Sequence, residues 1–231
     1  MDFYMKTILY AITLSLISMM VKGMQTNAQT LTPQQINTST YFTAEPISDS
    51  IFKRMQGKSY KNNCTIPLKE LRYIQVLHYD SDGKLKSGEI VCHKDIAADL
   101  IDIFHELYKA HYPIECVQLI DDYNANDEQS MLHNNTSCFN YRHVAGTKSL
   151  SLHSQGKAID INPLYNPYVK RLRNGTMSIS PKTGRVYADR SKTFKYKIDH
   201  NDLAYKLFKK HGFTWGGDWK SLKDYQHFEK K

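Results

Sequence analysis

Hydrophobic and polar positions along the chain fall into a few patterns, and each predicts an element. Leu71–Tyr79 (LRYIQVLHY) is rich in β-branched and aromatic residues and reads as a strand. Asp80-Ser81-Asp82-Gly83 supplies turn chemistry, and Ser87–Cys92 returns as a second strand, so 71–92 reads as a hairpin. From Lys94 to Tyr112, Ile96, Leu100, Ile103, Leu107 and Tyr108 recur at helical spacing, and Pro113 ends the helix. Cys116–Ile120 (CVQLI) reads as a short buried strand, 123–136 as a polar loop and Phe139–Val144 as another strand. The stretch 164–200 is long and turn-rich, which in a compact domain marks a loop with a functional task. A second helix covers Asp202–His211, with Leu203, Leu207 and Phe208 on its apolar side and Gly212 at its end. Together these predict an α+β domain, with a central antiparallel sheet and helices packed on its opposite side.

The N-terminus has a pattern of its own. A mainly apolar run from Thr7 to Val21 follows Lys6 and is closed by Lys22 and Gly23. It is shorter than the roughly 20 residues a membrane span needs. A basic start, a short apolar core and Thr26-Asn27-Ala28 downstream predict a secretory signal peptide over 1–28; an uncleaved anchor is the alternative. Residues 29–58 are polar and weakly periodic, an N-terminal arm or linker with a short helical turn before Ser59, and the domain proper occupies 59–231. The protein is then periplasmic or extracellular, with no stable membrane association after cleavage.

Charge and cysteines change this picture only at its edges. Hydrophobic residues make up 41% and charged residues 23%, which excludes a disordered chain. The net charge of +8 favours an anionic partner, a cell-wall polymer or nucleic acid, but it is scattered, and simple solubility explains it equally well. Cys64, Cys92, Cys116 and Cys138 form no C-x-x-C pair, which argues against a cysteine zinc site. In an exported protein their even number suggests disulfides, with three pairings open; four free buried thiols are the alternative.

Candidate chemistry gathers in the C-terminal half. His153 and Asp160 stand seven residues apart in SLHSQGKAIDINP. On one unbroken strand they would face opposite ways. Gly156 lies between them, where a bend costs least, so the two converge if the chain turns there. His227 in DYQHFE supplies a third ligand. Two imidazoles and a carboxylate leave one tetrahedral position open, as in a catalytic zinc site, where the metal brings bound water to a pKa of about 7. Asp224, three residues before His227, is a candidate general base, and Glu229, two after it, competes for that role. Trp215, Trp219 and Tyr225 either line a substrate cleft or belong to the core.

The ordered set resembles the D-alanyl-D-alanine carboxypeptidase and dipeptidase family of zinc peptidases, nearest its branch of phage-type L-alanyl-D-glutamate endopeptidases. The family pattern is His-x6-Asp with a glycine and a small residue between, then a late acid-x-x-His. Here it reads His153, Gly156, Ala158, Asp160, then Asp224 and His227, with SCFNYR at 137–142, INPLYNPY at 161–168 and FTWGGDW at 213–219 beside it. The resemblance implies one Zn2+ per chain on His153, Asp160 and His227, with zinc-activated water and Asp224 as general base. It implies that Arg142 holds the scissile carbonyl and oxyanion, and that Ser137 contacts substrate; Tyr225 is a further substrate-contact candidate. It implies peptidoglycan stem peptides as substrate and no nucleic acid. Removing a terminal D-Ala would require a cation for the free carboxylate, and Lys148, Arg171, Arg173 and Arg190 are candidates. A rival of another class is an inactive zinc-containing module that binds the wall or a partner, although such a module has no need of Asp224 or Arg142. A metal-dependent nuclease is disfavoured, because the usual His-Asn-His cluster is missing.

Overall fold

The computed structural model describes residues 40–144 and 146–231; the leader expected over 1–28 lies outside them. One framework sheet is an antiparallel meander of β1 (Thr43–Pro46), β2 (Leu71–Tyr79) and β3 (Leu85–His93). The hairpin expected at 71–92 is present, with Ile74 opposite Ile90. Asp80 shapes its turn, accepting the backbone N–H of Asp82 and Lys84. Helix α1 (Asp49–Met55) is capped by Ser48 and held to β3 by Arg54, which meets the Glu89 carboxylate at 2.7 and 2.8 Å. Residues 43–55 thus supply a strand and a helix to the framework.

Helix α2 (Lys94–Lys109) follows β3 directly. Its buried stripe of Ile96, Leu100, Ile103 and Leu107 packs with Ile74, Val76 and Ile90, the one-sided pattern of a helix lying on a sheet. It ends before Tyr112, where His111 takes a left-handed conformation. The strand expected over Cys116–Ile120 shortens to β4 (Cys116–Val117), because Ile120–Tyr123 tightens into a 3₁₀ turn. Within the supposed loop lies α3 (Asp127–Leu132), followed by β5 (Asn135–Thr136), which pairs in parallel with β4. The remaining strands are β6 (Ala158–Asp160), β7 (Tyr168–Arg171), β8 (Met177–Ser180), β9 (Thr214–Trp215), β10 (Lys223–Asp224) and β11 (His227–Glu229), with helix α4 (Leu203–Lys210) before β9.

The class is α+β, but the antiparallel pairing is shared among three sheets, β1-β2-β3, β10-β7-β8 and β6-β11-β9. The C-terminal strands are only two to four residues long and are broken by turns, so no single ladder can run through them. Phe139–Val144 is not a strand. Its N–H groups go to three different neighbours: Phe139 to Val91, Asn140 to His153 and Tyr141 to Ser59. The segment is a seam between framework and site. In α4 the buried residues are Ala204 and Phe208, while Leu203 is exposed; Phe208 stacks on Phe228 with ring centroids 4.3 Å apart.

No disulfide forms, which corrects that expectation: all four cysteines are free thiols. Cys92 and Cys138 share the main core cluster, while Cys64 and Cys116 lie apart from it. Cys92 is in the core, Cys138 lies against the Gly156 carbonyl at 3.4 Å, Cys116 meets the Tyr123 hydroxyl, and Cys64 meets the Ile66 carbonyl.

Asp202 caps α4, accepting from the N–H groups of Ala204 and Tyr205 and from the Tyr112 hydroxyl. Burial raises its pKa from 3.8 to about 6, against the hydrogen bonds that lower it. The folded state therefore holds a proton that the unfolded chain has released, and stability falls as pH rises from about 4 to 6. Asp202→Asn keeps a capping oxygen and removes this term. Relative to wild type, the variant gains stability across that window, by about 1–3 kcal/mol. Urea midpoints at pH 4, 5, 6 and 7 measure it; a constant difference would contradict it.

Candidate metal centre

Strand register sets two of the three candidate ligands. β6 and β11 are antiparallel with Asp160 directly opposite His227, so both side chains emerge on one face. The other edge of β6 is held by Ser137, whose backbone exchanges two hydrogen bonds with Asp160. Ser137 thus acts on the site through its main chain.

The third ligand arrives by the turn expected at Gly156. His153 sits in the 3₁₀ turn Leu152–Gln155, which Gly156 ends with φ +67°. A Cβ there would lie 2.7 Å from the backbone nitrogen of His93, which donates to the Gly156 carbonyl at 2.8 Å. Glycine is therefore required twice, for the positive φ and for the close approach to β3.

The ligand atoms form a compact triangle. His153 Nε2 lies 3.2 Å from His227 Nδ1 and 3.3 Å from Asp160 Oδ1, and His227 Nδ1 lies 3.1 Å from Asp160 Oδ1. A tetrahedral zinc with bonds of about 2.0–2.1 Å has ligand–ligand edges of about 3.3–3.4 Å. The triangle is close to one face of that tetrahedron. The far ring nitrogens are tied back, as metal-bound histidines require. His153 Nδ1 donates to the Cys138 carbonyl at 2.6 Å, which leaves Nε2 as the lone pair facing the triangle. His227 Nε2 meets Glu229 Oε2 at 3.0 Å.

Charge favours a cation here. Burial alone would lower the pKa of His227, but hydrogen bonds to Asp160 and Glu229 reverse this and raise it to about 10. The ring is poised to carry a proton or a metal in its place. Burial penalises the Asp160 carboxylate, yet His153 and His227 hold it below the ordinary carboxylate range. His153, Asp160 and His227 form a metal-competent group, with ligand atoms all within 4.8 Å.

The two candidate bases separate. Glu229 occupies the outer nitrogen of His227, and that hydrogen bond lowers its pKa. Asp224 stands on β10, backed by Gly216, where a Cβ would lie 2.5 Å from the Asp224 carbonyl oxygen. Burial raises Asp224 to about 6, with His227 opposing and Asp160 reinforcing. Its Oδ1 is sealed from solvent with no hydrogen-bond partner among the described residues. A carboxylate with a pKa near neutrality is suited to exchanging protons.

Arg142 lies along the ligand turn. Its backbone N–H donates to Ser154 Oγ at 2.8 Å, and its carbonyl accepts from the Ser151 N–H. Its guanidinium pairs with Asp127 at 2.5 Å, while its Nε is buried without a partner among the described residues. Asp121 and Asp122 are engaged elsewhere, with Ser59 and Arg54. Asn140 donates to the other Asp127 oxygen at 3.1 Å. Helix α3 therefore supports the site, with Asp127 on Arg142 and Asn140, and Met131 against the Gln226 amide. Sequence reasoning missed this helix, although Asn126 and Gln129 stand at capping spacing; the Asn126 side chain accepts the Gln129 N–H at 3.0 Å.

The aromatic candidates divide. Trp215 is buried in the core and Tyr225 packs beneath the Arg190 guanidinium, 4.3 Å from its ring centroid. Trp219 lies beside His227, with ring centroids 5.2 Å apart. Arg190 is fully engaged. Both terminal nitrogens donate twice, to the carbonyls of Tyr165, Tyr187 and Ile198 and to Asn166 Oδ1. It ties the 165–198 segment together and has no terminal N–H left for a substrate carboxylate.

Residues 145–230 match the family model described as D-alanyl-D-alanine carboxypeptidase. The matched segment carries His153, Asp160, Asp224 and His227 and begins just after Arg142. The match supports a peptidase acting on cell-wall peptides. No curated protein and no solved structure matches the chain.

Proposed function

We propose that the protein is an exported zinc peptidase that hydrolyses an amide bond in peptidoglycan stem peptides. The observation that carries this reading is the buried triangle of His153, Asp160 and His227, with its 3.1–3.3 Å edges, together with the raised carboxylate of Asp224 on β10, the strand that precedes β11 along the chain. Zn2+ held by these three residues would supply Lewis acidity toward the scissile carbonyl and a water of pKa about 7. Asp224 accepts a proton from the attacking water at its carboxylate and returns it to the leaving amine. Arg142, steadied by Asp127, presents positive charge where the oxyanion develops, a contribution of roughly 2.7–4 kcal/mol for a fixed donor in a dry site. Trp219, against His227, shields the metal side from bulk water. The signal-like segment at 1–28 supports export, which brings the protein to its substrate.

The test is amine release from purified peptidoglycan. Chelation abolishes it and stoichiometric zinc restores it. Amine release that persists in the chelated, metal-free protein would refute a zinc peptidase.

A further inference from the structure

The sheet β10-β7-β8 bears on recognition beside the scissile bond through its register. Asp224 lies opposite Tyr168, which lies opposite Ser180, so these three side chains share one face. Alternation adds Lys170 and Ser178 to that face and puts Lys223, Val169, Ile179, Arg171 and Met177 on the other. Lys170 is thus two residues, about 6.6 Å, along β7 from the partner of Asp224. A lysine side chain spans such a gap. Lys170 is exposed and makes no ion pair among the described residues. The other acid near this face, Glu128 of α3, is engaged by the Ser180 hydroxyl and the Lys182 N–H.

The competing cations are placed differently. Arg171 faces away from Asp224, Arg173 lies in the exposed turn beyond β7, and Arg190 is consumed by carbonyls.

The chemistry of the substrate completes the argument, which rests on the peptidase reading. If Asp224 delivers a proton to the leaving nitrogen, the carbon bearing that nitrogen lies near the Asp224 face. In an L-Ala–D-Glu bond that carbon carries the free α-carboxylate of a γ-linked D-Glu. In a D-Ala–D-Ala bond it carries the chain-terminal carboxylate. Both bonds therefore present a carboxylate at the same place, next to the departing amine. We infer that Lys170 is a specificity-determining residue that binds this carboxylate on the leaving-group side of the scissile amide. The cation is solvated, so the expected preference is modest and salt-dependent.

The experiment compares pairs of synthetic stem peptides that differ only in that group, free carboxylate against carboxamide, with the zinc-loaded protein. For wild type, kcat/KM favours the carboxylate by about 5- to 10-fold at low salt, and the ratio shrinks as salt rises. Lys170→Met brings the ratio close to 1, while Arg171→Met, on the opposite face, preserves it. A ratio that survives in Lys170→Met, or is absent from wild type, overturns the inference while leaving the peptidase reading intact. Failure of wild type to cleave either peptide overturns the inference; if amine release from peptidoglycan fails as well, the peptidase reading falls with it.

Discussion

Asp224→Asn lowers kcat on a stem-peptide substrate by about 10²–10⁴-fold, the usual range for removing a general base. The variant keeps its zinc, because Asp224 is not one of the triangle residues. The amide cannot accept a proton at neutral pH, and it is close in shape to the carboxylate, so the buried site stays filled. Glu229→Gln is the informative contrast. Glu229 holds the outer nitrogen of His227 at 3.0 Å. Its loss weakens the orientation of that ring and lowers metal affinity by about 10- to 100-fold. Turnover of this variant recovers at saturating zinc, whereas that of Asp224→Asn does not. Steady-state rates across a zinc titration, with metal content measured on the same samples, separate the two roles. If zinc rescues Asp224→Asn, or if Glu229→Gln stays inactive at full occupancy, the assignment of the base is wrong.

Gly156→Ala is expected to damage fold and site together. The residue has φ +67°, which costs an L side chain about 1–2 kcal/mol. The added Cβ would also meet the His93 backbone nitrogen at 2.7 Å and the Cys92 carbonyl carbon at 3.0 Å. Those are main-chain atoms of a framework strand and cannot swing aside. The total cost is about 2–4 kcal/mol, and Tm falls by roughly 5–15 °C. Any relief comes from moving the 152–156 turn, which separates His153 from Asp160, so zinc affinity falls as well. Gly175→Ala is the control. It has φ +82° but nothing within 4 Å of a new Cβ, so it pays only the backbone term, about 1–2 kcal/mol, and leaves zinc affinity untouched. Calorimetry and zinc titration of both variants measure the contrast; equal effects at the two glycines would contradict it.

What could be read in the sequence follows from what local patterns encode. The hairpin at 71–92 and helices α2 and α4 were legible because each carries its own periodicity and its own stop signal. Gly156 was legible because two ligands at odd spacing need a bend and glycine stood where the bend had to be. The short strands around the site were not. β10 and β11 have too few residues to show alternation, and they exist only because Tyr168 and Asp160 lie opposite them. Phe139–Val144 has the composition of a strand, but its N–H groups are divided among three neighbours, which no local pattern encodes. Helix α3 was missed despite a visible signal, the Asn126–Gln129 cap, because one short polar turn of helix has little periodicity. The β7–β8 hairpin was missed although Asn174-Gly175 marks its turn. The partner of Arg142 could not be chosen from sequence either. Asp121, Asp122 and Asp127 all precede it, and only tertiary contacts divide them: Ser59 and Arg54 claim the first two, and Asp127 on α3 takes the arginine.

The most direct test of the account is mass spectrometry of defined muropeptides after incubation with the protein. Zinc-loaded wild type, chelated wild type and Asp224→Ala are run together. The expected result is one new amine in the stem peptide, at L-Ala–D-Glu or at the terminal D-Ala, from the zinc-loaded wild type alone. Intact muropeptides from a protein that holds one zinc per chain would contradict it, and would make the metal centre part of a binding module.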